Sequence, residues 1–399
     1  MLQGHDLIYF GPGQWTGLWR NRHHLLSRFA CHNRVLYVEP KIDLLTLRQR
    51  WRNGEWRFTH LRRELQRGRV SQAQQNLYIY HSPTFAPVSG RFPFSHLTGI
   101  WWRACLRSSL RRLNFRRPIV WLSQPEMVAQ LGHWDEALTI YHVVDEYTAY
   151  QGVSAELAEW LRACERQLLG RVDMVLVVSP KLLEAKRTLN SQTYLVPNGV
   201  DVQAYRGPAH VPDDVQSIPP PRLIYAGLIG ARLDLKLLAD LAERRPQWSL
   251  VLVGEANSRG VEEDIARLRH LPNVHFLGLK PPGAVPDYIR ACQVCLLPYR
   301  LVSETEYMDP LKLYEGLAAG KPIVATPVAA LKAAGDVVTL VHTVAEAEQA
   351  VHNALSDKCE AMVEKRTALA EQNSWDTRVS RISELITKQM SLKLSKAGR

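Results

Sequence analysis

The run Asp6-Leu7-Ile8-Tyr9-Phe10-Gly11-Pro12-Gly13 decides the fold, together with a helical-period stretch through His24, Leu25, Leu26 and Phe29 and a second apolar run, Val35 to Val38. Read by period it is strand, glycine loop, helix and strand, a βαβ unit. Strand-like runs at Ile119 to Leu122, Leu138 to Val144 and Met174 to Val178 then alternate with helical stretches such as Ala155 to Leu169. That alternation is the pattern of a parallel sheet covered by helices. After a polar, proline-rich segment ending in Pro219-Pro220-Pro221, the rhythm restarts at Leu223 to Ala226. It continues with strands at Leu250 to Val253, Val274 to Leu277, Val294 to Leu297 and Pro322 to Ala325, separated by helices at 233–244, 261–269, 284–291 and 310–319. The prediction is α/β: two doubly wound, Rossmann-like domains at 1–205 and 222–370, a linker at 206–221, and an amphipathic helix with a basic tail at 371–399. Ligands of such sheets sit beyond the carboxyl ends of the strands, so the two domains face a central cleft suited to joining two substrates.

The 399 residues exceed what one core organises, which agrees with two domains. With 46% hydrophobic and 22% charged residues the chain reads as globular, and low complexity is excluded. No stretch approaches the roughly 20 apolar residues of a spanning helix, and the first strand starts too early for a signal peptide. A cytoplasmic location is expected. Cys31, Cys105, Cys164, Cys292, Cys295 and Cys359 are scattered, mostly in apolar stretches, as reduced packing residues would be. Cys292-Gln293-Val294-Cys295 has redox spacing but lacks a second pair for zinc and reads as structural.

The net charge of +11 admits nucleic acid, anionic lipid or a phosphorylated substrate as partner. Arginines crowd the first half: Arg48, Arg50, Arg52, Arg57, Arg62, Arg63, Arg67 and Arg69, then Arg103, Arg107, Arg111, Arg112, Arg116 and Arg117. Across Phe92 to Pro118, Trp101, Trp102, Leu106, Leu110 and Leu113 recur at helical intervals against such arginines. This segment can lie on an anionic membrane, which would make the protein peripheral on the inner face of the plasma membrane. Equally, its apolar side can join the first core.

The segment Met308-Asp309-Pro310-Leu311-Lys312-Leu313-Tyr314-Glu315-Gly316 leads into a helix that Pro310 can open and Gly320 can close. Lys312 and Glu315, three residues apart, share a face near its N-terminus, where dipole and free N–H groups favour an anion such as a diphosphate. Sugar transfer calls for such a set: a cation for the departing nucleoside diphosphate and a carboxylate for ribose or sugar hydroxyls. A plain surface Lys–Glu pair is the competing reading.

This segment, with Leu195-Val196-Pro197-Asn198-Gly199-Val200-Asp201, resembles the retaining, GT-B-fold glycosyltransferases of family 4, especially bacterial polysaccharide-assembly members, most strongly over about 170–330. The resemblance implies a sugar transferred with retention from a UDP- or GDP-sugar to a glycan or lipid-linked acceptor, in surface polysaccharide or glycolipid biosynthesis, by a metal-independent hexosyltransferase without a cofactor. It implies catalytic roles for Lys312 and Glu315 and places Asp309 beside them at the donor. The family pattern has a further glutamate eight residues before the position of Glu315, where this chain has Tyr307, with Glu306 one place off. In Tyr225-Ala226-Gly227-Leu228-Ile229-Gly230-Ala231-Arg232 the resemblance implies phosphate contacts from Gly227, Gly230 and Arg232, with Leu228 where an arginine is usual. It likewise places Gly254 and Glu255 at the donor cleft and lets Leu279 meet the nucleobase; ordinary turns are the alternative for these glycines. No Asp-x-Asp occurs in the chain.

In Tyr141-His142-Val143-Val144-Asp145-Glu146-Tyr147, two carboxylates stand at the end of a buried-looking strand. Asp145 is the candidate to orient the acceptor hydroxyl or take its proton, and Glu146 joins the acceptor site; a helix N-cap is the rival reading of Asp145. Gly11, Gly13, Trp15, Arg22 and His23 resemble the loop that lines the acceptor pocket, with one of His23 and His24 capping or packing. No third ligand stands at metal spacing there. Two other readings remain: a basic nucleic-acid- or membrane-binding protein without catalysis, although nucleic acid is not the expected partner, and a nucleotide-sugar epimerase on the same scaffold.

Overall fold

The structure is a computed structural model that describes residues 1–17, 19–40, 69–82, 94–150, 152–208, 210–357 and 359–397. The arginines from Arg48 to Arg67, and the start of the basic segment at Phe92, lie outside the described residues.

The first sheet contains β1 (Asp6–Phe10), β2 (Arg34–Val38), β3 (Val70–Gln74), β4 (Leu77–Tyr80), β5 (Ile119–Leu122), β6 (Leu138–Val143), β7 (Met174–Val177) and β8 (Thr193–Leu195), in the order β3-β4-β2-β1-β5-β6-β7-β8. All pairings are parallel except β3 with β4. Strands β1, β5, β6 and β7 are buried along their whole length, which is why they read as unbroken apolar runs. The β3–β4 hairpin has no such signal: Ser71, Gln72, Ala73 and Gln74 are exposed on the sheet edge.

The second sheet is fully parallel: β9 (Arg222–Ala226), β10 (Ser249–Val253), β11 (Val274–Gly278), β12 (Val294–Leu297), β13 (Ile323–Ala325) and β14 (Val338–Leu340), in the order β11-β10-β9-β12-β13-β14. The order reverses between β1 and β5 in the first sheet and between β9 and β12 in the second, and such switch points open the ligand crevice of a doubly wound sheet. Val215 and Ile218, in the stretch read as a linker, are buried in the second core.

Helices α1 (Asn21–Phe29), α2 (Phe94–Arg112), α3 (Leu311–Ala318) and α4 (Trp375–Ala397) position the site. The sequence left open which domain α4 joins; it packs on the first. Trp375, Val379, Ile382, Leu385 and Ile386 are buried with Leu25, Leu26 and Phe29 of α1 in one core cluster, each contributing roughly 1.5–3 kcal/mol of apolar burial. The chain therefore crosses between the domains twice, and the crossings touch: Val200 N–H donates to Asn373 O at 3.1 Å and Trp375 N–H to Val200 O at 3.0 Å. Gly199 permits this approach, because a Cβ there would lie 2.8 Å from Asn373 O.

On α2, Trp102, Leu106 and Leu110 turn into the first core while Ile100 and Trp101 stay exposed. The periodicity thus merged two faces. Cys292 and Cys295 are buried, and burial pushes both thiols up to about 12, as inert packing residues require. Among the described residues, no helix is long and apolar enough to cross a membrane.

Candidate active site

Three glycines end three adjacent strands of the second sheet. Gly227 N–H donates to Val253 O at 2.8 Å and Gly254 N–H to Gly278 O at 2.9 Å. A Cβ on Gly254, whose φ is +140°, would fall 1.8 Å from Gly227 O. The loop at 227–230 is tied to its neighbour by Ile229 N–H to Glu255 O (2.9 Å) and Asn257 N–H to Ile229 O (2.8 Å). Gly227, Gly230 and Gly254 therefore serve close backbone packing that brings main chain to the crevice. Glu255 and Leu279 stand exposed beside it.

Helix α3 aims its first turn at this loop. A Cβ on Gly227 would sit 3.0 Å from Lys312 Cε, so the lysine lies along the glycine loop. Lys312 Nζ is 3.3 Å from the Glu315 carboxylate, and both side chains are partly exposed. The charges of Glu315 and Arg232 both reach Tyr225 and Tyr299, whose hydroxyls burial above all raises. Lys312 in turn faces His24 of α1: burial foremost, then Arg28, His23 and Lys312, lowers His24 to about 3, leaving it neutral. His24 stacks on Trp375 at 5.0 Å and 9°.

From the first domain, Asp145 reaches across the cleft. Its Oδ2 accepts from Tyr150 OH at 2.6 Å and from Arg232 Nη2 at 3.0 Å, and Arg232 Nε donates to Glu304 Oε1 at 2.5 Å. Arg232 also lies over the Tyr150 ring at 5.0 Å. Burial opposes its charge, but Asp145, Tyr150 and Glu304 outweigh that and raise its pKa. Asp145 is thus no helix cap. The cap is Glu146, which accepts from Thr148 N–H and Thr148 OH.

Three of the candidate residues are engaged by other parts of the chain. Lys186 Nζ donates at 2.7 Å both to Glu146 and to Glu165, and in this buried trio, joined by Tyr141 OH at 3.0 Å from Glu165, the lysine offsets the two carboxylates. His23 is fully buried, with Nδ1 accepting from Arg20 N–H at 2.9 Å and Nε2 donating to Trp15 O at 2.8 Å; burial and then Arg22 lower it to about 4, so it is a neutral cap. Asp309 is held within the chain: Oδ2 accepts from Asn198 N–H at 2.5 Å and Oδ1 from Tyr314 OH at 2.9 Å. Its burial raises the carboxyl to about 6 against the hydrogen bonds from Asn198 and Tyr314 and the field of Arg378.

The remaining acceptor-side residues do cluster. Gly11 abuts the Tyr37 ring, since a Cβ there would lie 2.0 Å from it, and Tyr37 OH donates to Gly13 O at 2.6 Å. Trp15 packs against both His23 and Tyr37, and Arg22 Nη2 donates to Gln14 O at 3.2 Å. Along this seam several buried polar atoms make no hydrogen bond among the described residues: Asn21 Oδ1, Arg22 Nε, His24 Nδ1, Asp145 Oδ1 and Glu315 Oε2. Such atoms are costly without a partner, and others, among them Tyr80 OH, Trp121 Nε1 and both His142 nitrogens, lie away from the seam.

Residues 221–357 match the family described as glycosyl transferases group 1. The match lies within the second domain. Over 255 residues the chain is 29% identical to TuaH of Bacillus subtilis (strain 168), assigned by name as a teichuronic acid biosynthesis glycosyltransferase. That match covers 59% of this chain and 63% of TuaH, so it spans less than two thirds of the relative. Sucrose-phosphate synthase from Thermosynechococcus elongatus superposes with a TM-score of 0.68 at 16% identity, covering 97% of this chain and 100% of its own. Anabaena HepE, solved with UDP-glucose, gives 0.65 at 14% identity over 96% of this chain and 99% of its own. The fold is GT-B.

Sequence reading passed over four contributors to this arrangement. Tyr150 and Glu304 fix Asp145 and Arg232, yet neither stands in a motif. Asn198 was legible only as part of a turn before the second domain, although it bonds Asn21, Asp309 and Arg378 at once. His24, read as one of a histidine pair, is the one that faces Lys312 of the second domain.

Proposed function

We propose that the chain is a glycosyltransferase that moves a hexosyl group, with retention, from a UDP- or GDP-sugar onto a glycan or lipid-linked acceptor in surface polysaccharide or glycolipid biosynthesis. One observation carries this reading: the Lys312–Glu315 pair and Arg232 of one domain flank the same buried tyrosines, and Arg232 reaches Asp145 of the other domain. The group 1 match and the TuaH likeness support the reaction class, and HepE, solved with UDP-glucose on the same fold, supports a nucleotide-sugar donor.

In this reading Lys312 and Arg232 offset the charge that develops on the departing diphosphate, without a metal ion. The backbone of 227–230 and 254–255 approaches the phosphates, and Leu279 covers the base. Glu315 accepts hydrogen bonds from ribose or sugar hydroxyls. Asp145 orients the acceptor hydroxyl or takes its proton, and Gly11, Gly13, Trp15 and Arg22 line the acceptor pocket. Exposed Ile100 and Trp101 beside Arg107, Arg111 and Arg112 on α2 fit an anionic membrane surface carrying a lipid-linked acceptor.

The test is a thermal-shift screen of the whole protein against UDP, GDP, ADP and their common sugar conjugates, since a ligand that binds the native state raises the melting temperature. One nucleotide class is expected to stabilise selectively, and its sugar conjugate to be consumed in the presence of an acceptor extract. No response to any of them would sink the donor assignment.

A further inference from the structure

Arg232 has two carboxylate partners of different kinds. Glu304 is on its own domain and takes Nε at 2.5 Å; Asp145 is on the other domain and takes Nη2 at 3.0 Å. The two carboxylates are 12% and 13% exposed, whereas Arg232 is 39% exposed, so the guanidinium turns an edge to the cleft that the acids do not. A guanidinium carries five N–H groups in a planar fork. Neither carboxylate takes Nη1, so the Nη1–Nη2 edge can receive two anionic oxygens while Nε keeps Glu304.

The Asp145 side of the contact is incomplete. Its Oδ2 is shared between Arg232 and Tyr150 OH, while Oδ1 is buried with no hydrogen bond among the described residues. A pair built only for stability would satisfy both oxygens. This one crosses the seam between two domains and leaves one oxygen waiting.

We propose that Arg232 is an exchange group: it keeps Glu304 throughout and hands Nη2 from Asp145 to an oxygen of the donor diphosphate, so that Asp145 is released to the acceptor only once a donor is bound. Glu304 and Tyr150 are then positioning residues, the first fixing the guanidinium plane and the second keeping Asp145 oriented after the cation leaves. The order of binding follows, donor before acceptor. The proposal rests on the donor reading above and adds to it a competition between a diphosphate and a side chain of the opposite domain.

Competition has a signature that activity alone does not show. Removing the competitor must strengthen diphosphate binding even though Asp145 lies on the acceptor side. Titration calorimetry on the full chain, with whichever of UDP, GDP or ADP stabilises the wild type, should find Asp145→Asn binding it about tenfold more tightly, the factor one charge-assisted hydrogen bond carries. Glu304→Gln should bind more weakly. Tyr150→Phe should also bind more weakly, because Asp145 without its phenol holds Arg232 harder, and this opposite sign keeps the test alive should Asp145→Asn fail to fold. In an Arg232→Ala background the Asp145→Asn gain should vanish. Equal affinity of wild type and Asp145→Asn, or a gain that persists without Arg232, would overturn the exchange while leaving the donor reading intact. If no nucleotide binds the wild type, the donor reading itself is what fails.

Discussion

Two polar clusters sit on the same seam between the domains, and they are built differently. At the hinge, Asn198 spends its N–H and Nδ2 on Asp309, accepts from Asn21 on Oδ1 and from Arg378 on its carbonyl, while Tyr314 completes Asp309. In the cleft, Asp145, Arg22 and His24 each keep a buried atom with no hydrogen bond among the described residues. Polar groups that satisfy one another fix a conformation; polar groups held unsatisfied store a cost that a ligand relieves. The contrast is one of degree, since Asn21, which donates to Asn198, keeps its own Oδ1 without a hydrogen bond among the described residues.

The largest effect that would test this contrast is Lys312→Ala. As a cleft cation on the departing diphosphate, its removal should lower kcat/KM by roughly 10²–10³-fold and abolish the thermal response to the nucleotide. The ligand-free protein should keep its stability to within about 1 kcal/mol, because a partly exposed lysine pair contributes little. Steady-state kinetics beside a melting curve decide it. A large loss of stability with unchanged kinetics would move Lys312 from the site to the scaffold.

At the hinge the expected change is in stability, and pH reveals it. Burial raises Asp309 to about 6 from an ordinary 3.8, so between these values the folded state binds the proton more readily than the unfolded one. Stability from this group therefore falls as pH rises from about 4 to 6 and is recovered in acid. Asp309→Asn does not titrate. Its deficit relative to wild type should be larger at pH 4 than at pH 7 by roughly 3 kcal/mol, from denaturation midpoints at the two pH values. A pH-independent deficit would mean that Asp309 is not buried as a carboxylate between Asn198 and Tyr314.

What the sequence made legible follows the same division. The central strands announce themselves because burial on both faces demands unbroken apolar runs, as in Ile119 to Leu122. The glycines at 227 and 254 were visible as loop residues, and their role in bringing main chain to the crevice fits that reading. The β3–β4 hairpin stayed hidden because an exposed edge needs no pattern. The partners of Glu146, His23 and Asp309 were not legible, because a polar side chain at the end of a strand or start of a helix looks alike whether it faces a ligand or another side chain. Lys186, forty residues from Glu146, and Asn198, 111 residues from Asp309, are what decide between those outcomes. No local spacing encodes partners so far apart.

The smallest expected effect is also the one that isolates the cost of an unsatisfied cleft atom. His24 lies flat on Trp375 with a buried Nδ1 that makes no hydrogen bond among the described residues, and it stays neutral beside Lys312. Phenylalanine keeps the ring stack and removes the orphaned nitrogen, so His24→Phe should raise the stability of the ligand-free protein by about 1 kcal/mol. The gain should grow in acid. The folded pKa, about 3, lies below the ordinary 6.5, so the unfolded chain takes up the proton first and the wild type loses stability as pH falls from 6.5, whereas the variant does not. Asp309→Asn and His24→Phe thus respond to acid with opposite signs, one deepening its deficit and the other widening its gain. Two substitutions on one seam that moved together with pH would show that hinge and cleft are a single cluster, and that the contrast between them does not hold.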